Sequence, residues 1–191
     1  FYISSRLSSL MGYFIPSRLS GVLLSESAVC DIVEALLVHD SFKRREQEIK
    51  DAAKTQNESL VVVNRKAELQ SRKFLDSLGF SPKVAILTSA TGDLGLEKMV
   101  KGDMNLDEKI VFYSDCCVSN DQIVGYKRRF DDLKPHFVQG GRYDYVDRAY
   151  LEKYGKTHRE VWDSVVIPLE RELTDLMNFQ GRSEDLYIIA L

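Results

Sequence analysis

Residues 28–40 read AVCDIVEALLVHD, an apolar stretch that closes on a histidine and an aspartate. Ala28, Val29, Ile32, Ala35 and Leu36 recur at three- and four-residue intervals, the spacing that puts side chains on one face of a helix. Ser25-Glu26-Ser27 just ahead supplies a turn and an N-cap. The stretch therefore reads as a helix with a buried face that ends at His39-Asp40.

Working outward, the same helical spacing dominates the chain. Upstream, Ile3, Leu7, Leu10, Met11, Phe14 and Ile15 recur in the same way, with a break or kink at Pro16. Downstream, residues 41–58 are dense in Lys, Arg and Glu and read as a solvated helix. Leu60 to Val63 is a loop or the start of a helix. Glu68 to Leu78 is amphipathic through Leu69, Phe74, Leu75 and Leu78, with Gly79 at the C-cap. Ser81-Pro82 opens the next helix, which the Thr91-Gly92-Asp93 cluster ends. Leu106 to Cys117 and Asp121 to Leu133 follow as helices. After Gly140-Gly141, a short helix at Tyr150 to Tyr154 precedes a long one capped by Thr157, which Pro168 should kink or restart. The expectation is an all-α protein, with a helical domain over residues 1–133 and a C-terminal helical extension, residues 134–191, packed on it.

Composition narrows the function classes. The 191 residues are 44% hydrophobic and 29% charged with a net charge of -3, an ordinary balance for a soluble domain. That charge argues against a dedicated nucleic-acid binder, leaving only the basic run from Lys43 to Lys54 in its favour. No apolar run is long enough to span a bilayer. Cys30, Cys116 and Cys117 form no disulfide framework and read as small buried residues in a reducing compartment, with the cytoplasm as the default.

Chemistry is carried by His39, Asp40 and Asp115. Water-activating divalent metals need nitrogen and oxygen donors brought together from separate elements. Asp115 sits in the apolar segment IVFYSD, residues 110–115, where a carboxylate is costly unless paired or metal-bound. The competing readings are a histidine interacting with a helix C-terminus and an aspartate paired with an arginine or capping a loop. His136 and His158 are expected to be exposed and without a role. Asp131-Asp132 near Arg128-Arg129 read as local ion pairs, and Trp162 with Tyr143, Tyr145, Tyr150 and Tyr154 as core and interface material.

The segment ALLVHDSFK, residues 35–43, resembles the metal-binding signature of the HD superfamily of metal-dependent phosphohydrolases, with its H-D pair and following lysine. Residues 110–130, IVFYSDCCVSNDQIVGYKRRF, resemble the helix that supplies that family's last aspartate. The intervening KAELQSRKFLDSLGFSPKVAILTSATG resembles its middle helices. The resemblance implies an HD-like helical bundle over residues 1–133 and a divalent metal ion (Mn, Mg, Ni, Co or Fe) on His39, Asp40 and Asp115. It further implies that Asp40 orients or deprotonates the attacking water and that Lys43 faces a substrate phosphate. The implied substrate is a small phosphate ester such as a nucleotide; the oligomeric state is left open. No histidine precedes His39, and the family's first ligand would fall just before Phe1, so that ligand is either cut off or lost. Ala67, Thr88 and Ser89 stand where dinuclear members carry further histidines. Cys117 and Arg128 replace the family's usual arginine and glutamate. Dinuclear, oxygen-dependent or diphosphodiesterase chemistry is therefore not expected. A degenerate HD fold kept as a non-catalytic binding module is the alternative.

Overall fold

A computed structural model describes residues 15–16, 19, 23–42, 45, 48–49, 51–52, 60–119, 122–139, 141 and 144–178. Lys43, Tyr143 and the segments 1–14 and 179–191 lie outside the described residues. The described chain is all-α apart from one two-residue hairpin. Its helices are α1 (Glu26–Val38), α2 (Leu60–Ser77), α3 (Pro82–Thr88), α4 (Gly92–Lys101), α5 (Leu106–Cys116), α6 (Gly125–Phe137), α7 (Asp144–Tyr154) and α8 (His158–Leu176). No helix among the described residues is long and apolar enough to cross a membrane.

Helix α1 starts where the sequence places it. The Ser25 hydroxyl accepts the Ala28 N–H at 3.2 Å, satisfying a donor that the first turn leaves open. Ala28, Val29, Ile32, Ala35 and Leu36 are all buried, and α1 packs on α3 and α5. Helix α5 is the central one, with every residue from Ile110 to Cys116 buried. From Ile110 onward the helix has no solvent face and is enclosed by its neighbours. Its start is fixed by a capping box: the Glu108 N–H donates to Asn105 Oδ1 at 3.0 Å, and the Asn105 N–H to Glu108 Oε2 at 3.2 Å.

One buried cluster runs from Ile15 and Leu19 through α1, α3 and α5 to Leu169 and Leu173 of α8. Trp162 of α8 lies flat on Phe112 of α5, with ring centroids 4.9 Å apart and planes 11° apart, and Phe130 of α6 tilts against it at 4.8 Å. The C-terminal helices thus complete the core around α5. Helix α6 runs through residue 133 without a break.

Several expectations need correction. Thr91-Gly92-Asp93 does not end a helix but opens α4, with Thr91 at the N-cap. The stretch from Asp121 is not continuously helical: Val118 pairs with Ile123 and Ser119 with Gln122 in an antiparallel hairpin. Helix α6 begins only at Gly125, whose φ of +74° favours glycine. Pro168 does not restart the helix: it lies inside α8, which continues to Leu176. Cys30 is exposed, one position off the buried face of α1, whereas Cys116 and Cys117 are buried as expected. Leu69, Phe74 and Leu78 point outward while Leu75 enters the core. Leu60 to Val63 resolves into the start of α2, and Arg45, Glu48, Ile49, Asp51 and Ala52 are helical, with Arg45 and Glu48 paired on the surface.

Candidate metal centre

His39 is the C-cap of α1, one residue past its last helical position, and its side chain is 1% exposed. There its ring turns back on its own helix, and Nδ1 lies 2.7 Å from the Leu36 carbonyl oxygen. A carbonyl only accepts, so Nδ1 carries the hydrogen and a neutral imidazole presents its Nε2 lone pair on the other side. That nitrogen lies 3.2 Å from Asp115 Oδ1 and 3.5 Å from Asp40 Oδ1, whose side chains are 7% and 10% exposed. The structure thus brings all three residues together. Helix α5 delivers Asp115 from its last turn, and the turn after α1 delivers Asp40.

Electrostatics make this arrangement conditional. A bare imidazole lone pair facing two carboxylate oxygens repels both, and buried charges are screened far less than exposed ones. Positive charge resolves the conflict, either as a proton on Nε2 or as a cation shared by the three groups. Arg129 supplies a further cation, with its Nη2 3.6 Å from Asp115 Oδ1 and another guanidinium nitrogen donating to the Val118 carbonyl. The expected local ion pairing holds for Arg128 (Nε to Asp132 Oδ1, 3.2 Å) but not for Arg129, which turns to Asp115. The signal was its place between Tyr126 and Phe130, both buried, on the inward side of α6.

The spacing of the donors can be compared with that around a metal. Two ligands about 2.1 Å from one ion stand roughly 3.0 Å apart at a right angle and roughly 3.4 Å apart at a tetrahedral angle. The two distances to His39 Nε2 fall near that range. Among the described residues, however, no group of three or more His, Cys, Asp or Glu side chains forms a ready-made metal centre. The donor set is a partial one. Thiolate ligation by the neighbouring cysteines is disfavoured, because burial pushes the Cys117 thiol up to about 12 and raises Cys116 well above its usual value.

Of the three residues, His39 is the one that lines an adjoining open pocket. Its other walls come from Phe42, α2 (Ala67, Glu68, Ser71), the α3–α4 junction (Thr88, Ser89, Thr91) and α4 (Asp93, Leu94). Ala67, Thr88 and Ser89, the positions at which the resemblance places further histidines, all stand on this wall. Glu68 pairs with Arg72, whose guanidinium also donates to Ser89 Oγ at 3.2 Å. Lys43 is outside the described residues.

A second polar cluster adjoins the pocket at Asp93. Asp93 Oδ1 is 3.0 Å from Nε2 of His158, and the Trp162 indole N–H donates to the same nitrogen at 2.7 Å. His158 is not exposed, as its helix-start context suggested, but 4% exposed. Phe137 stacks on its ring at 4.6 Å and Tyr150 meets it edge-on at 4.8 Å. His136 is exposed, as expected. The sequence singles out neither Glu68 and Asp93 as pocket residues nor His158 as the buried neighbour of Asp93; only Asp93, in the first turn after the Thr91 cap, carries a local signal. Against these features, comparison with protein-family models, with curated proteins and with solved structures returned no match.

Proposed function

We propose that the chain is a metal-dependent phosphohydrolase of the HD type, acting on a small phosphate ester such as a nucleotide. One observation carries this reading: His39 Nε2, oriented by the Leu36 carbonyl, faces carboxylate oxygens of both Asp115 and Asp40 beside an open pocket. His39, Asp40 and Asp115 are the residues that would hold a divalent ion. Such an ion supplies a Lewis acid and a bound water of lowered pKa. The Leu36 carbonyl keeps Nε2 the ligating nitrogen, as outer partners do for metal-bound histidines. Asp40, at 3.5 Å the farther of the two carboxylates from His39 Nε2, orients the attacking water and accepts its proton. Lys43, three residues on, is assigned to the substrate phosphate on the resemblance alone. The cytoplasm suits a chain whose three cysteines are free.

The test titrates Mn, Mg, Ni, Co and Fe into the protein by calorimetry and metal analysis, beside a panel of phosphate esters. Binding of one of these ions is expected, weakened at least ~10-fold in Asp115→Ala, since even outer-shell partners are worth 10- to 100-fold. Absence of uptake and hydrolysis, with Asp115→Ala changing neither, sinks the proposal. A non-catalytic binding module is the second reading. The observation in its favour is Arg129, 3.6 Å from Asp115, a cation that balances the carboxylate without a metal.

A further inference from the structure

Arg129 of α6 is held at two points. One guanidinium nitrogen donates to the Val118 carbonyl, where the chain leaves α5 and enters the hairpin, and Nη2 lies 3.6 Å from Asp115 Oδ1. The two contacts differ in kind. The first is a hydrogen bond to a neutral carbonyl, whereas the second sets a positive charge beside a carboxylate whose side chain is 7% exposed. A guanidinium stays charged at any working pH, so this cation is a permanent one. Its field is felt at the Cys116 thiol: burial and the Asp115 charge raise that thiol, and Arg129 pulls the other way.

Asp115 Oδ1 is also the oxygen 3.2 Å from His39 Nε2. An ion held between that oxygen and His39 meets a carboxylate already shared with Arg129. With a metal–oxygen distance of about 2.1 Å, such an ion stands no more than roughly 6 Å from Arg129 Nη2. Two cations this close in a buried site repel with little screening, and both draw on the same carboxylate charge.

We propose that Arg129 is a resident cation of the His39–Asp115 site, a positioning residue that holds Asp115 in the metal-free protein and competes with the divalent ion for it, and so sets the affinity of the site for metal.

The proposal rests on the phosphohydrolase reading for the presence of a metal, and not on its chemistry. The Val118 contact makes the competition reversible. For an ion to enter, Arg129 has only to yield Asp115, while the neutral anchor keeps the guanidinium beside the site. Tyr126 and Phe130, both buried on the same helix, hold that face of α6 inward. Arg128 takes no part: its side chain is 72% exposed and pairs with Asp132. Charge on α6 in general is therefore not the cause, and the effect belongs to one side chain.

The experiment measures the affinity for Mn, Mg, Ni, Co and Fe ions alone by calorimetry, with the melting temperature read with and without each ion. Arg129→Met is expected to bind at least ~10-fold tighter than the wild type, because the competing charge is gone. Its metal-free melting temperature is expected to fall, and its rise on adding metal to exceed that of the wild type, since stabilisation follows affinity. Arg129→Lys keeps the charge and loses only the planar fork, so its affinity is expected to stay close to the wild type. Arg128→Met removes an exposed cation one position away and is expected to change nothing. Should Arg129→Met fail to fold, Arg129→Gln, whose amide remains a donor, carries the same expectation. Metal uptake by the wild type with no tightening in the uncharged variants overturns the proposal and leaves the phosphohydrolase standing. Tightening in Arg129→Lys as large as in Arg129→Met overturns it equally, since charge is then not the cause. Uptake by the uncharged variants alone supports it. No uptake by any of these proteins removes the metal site and the proposal with it.

Discussion

Among the described glycines, Gly95 of α4 is one where adding a single methyl group should be costly. In an ordinary helix interior Gly→Ala stabilises, by roughly 0.5–1 kcal/mol, because alanine loses less backbone freedom on folding. Here a Cβ would overlap the Ala90 carbonyl oxygen and lie 2.7 Å from both the Ala90 carbonyl carbon and Phe112 Cδ2. Neither obstacle is a flexible tip. Ala90 is backbone at the α3–α4 junction, and Phe112 is wholly buried, with its ring clamped flat against Trp162. Overpacking of this kind costs about 1–3 kcal/mol or more, so the clash outweighs the helical gain and a net loss of about 2 kcal/mol is expected. For a chain of this length that lowers the melting temperature by roughly 4–8 °C. Thermal and urea unfolding of Gly95→Ala, followed by far-ultraviolet circular dichroism, make the comparison. The shift should appear in the midpoint with the urea slope unchanged. A variant that melts at or above the wild type would show that α4 does not approach the Ala90 carbonyl and Phe112 as described.

Three further predictions concern the thiols, the cap of α8 and the Glu160 carboxyl. In the native protein an aromatic disulfide reagent should titrate Cys30 alone, since Cys116 and Cys117 are buried and their thiols are held up; fast reaction of more than one thiol contradicts this packing. Thr157→Ala removes the cap of α8 and should cost about 1 kcal/mol. The same cap lowers the Glu160 carboxyl below its usual value, chiefly through the Thr157 backbone N–H. Because its folded value is the lower one, its contribution is present above the ordinary carboxylate range and fades as pH falls through the lowered value. A carboxyl titration of Glu160 by NMR should therefore move up in a variant with Thr157 replaced by proline, which lacks that N–H, and an unmoved titration refutes the assignment.

Local features were legible, and non-local ones were not. Ser25, Ser81-Pro82 and Thr157 mark helix starts within a few residues, because a cap is a contact between near neighbours. His39, Asp40 and Asp115 stand out in the sequence one at a time, as a polar pair at a helix end and a carboxylate in an apolar helix, and their meeting is what only the fold shows. The hairpin at Val118–Ile123 was hidden by apolar residues at helix-like intervals, although Gly125 marked where the chain turns. His158 was misplaced because what buries it, Phe130, Phe137, Tyr150 and Trp162, comes mostly from other helices. Periodicity carried no sign that Asp93 and His158, 65 positions apart, would meet.

The seating of Trp162 on Phe112 also bears on how the chain is made. These two residues are separated by about fifty positions, roughly 3–10 s of synthesis at ribosomal speed. For that interval the face of α5 waits uncovered, with Phe112 bare beside a nascent Asp115. An emerging chain in that state is a natural client for chaperones, and the pocket acquires its Asp93 wall in final form only once α8 has left the ribosome.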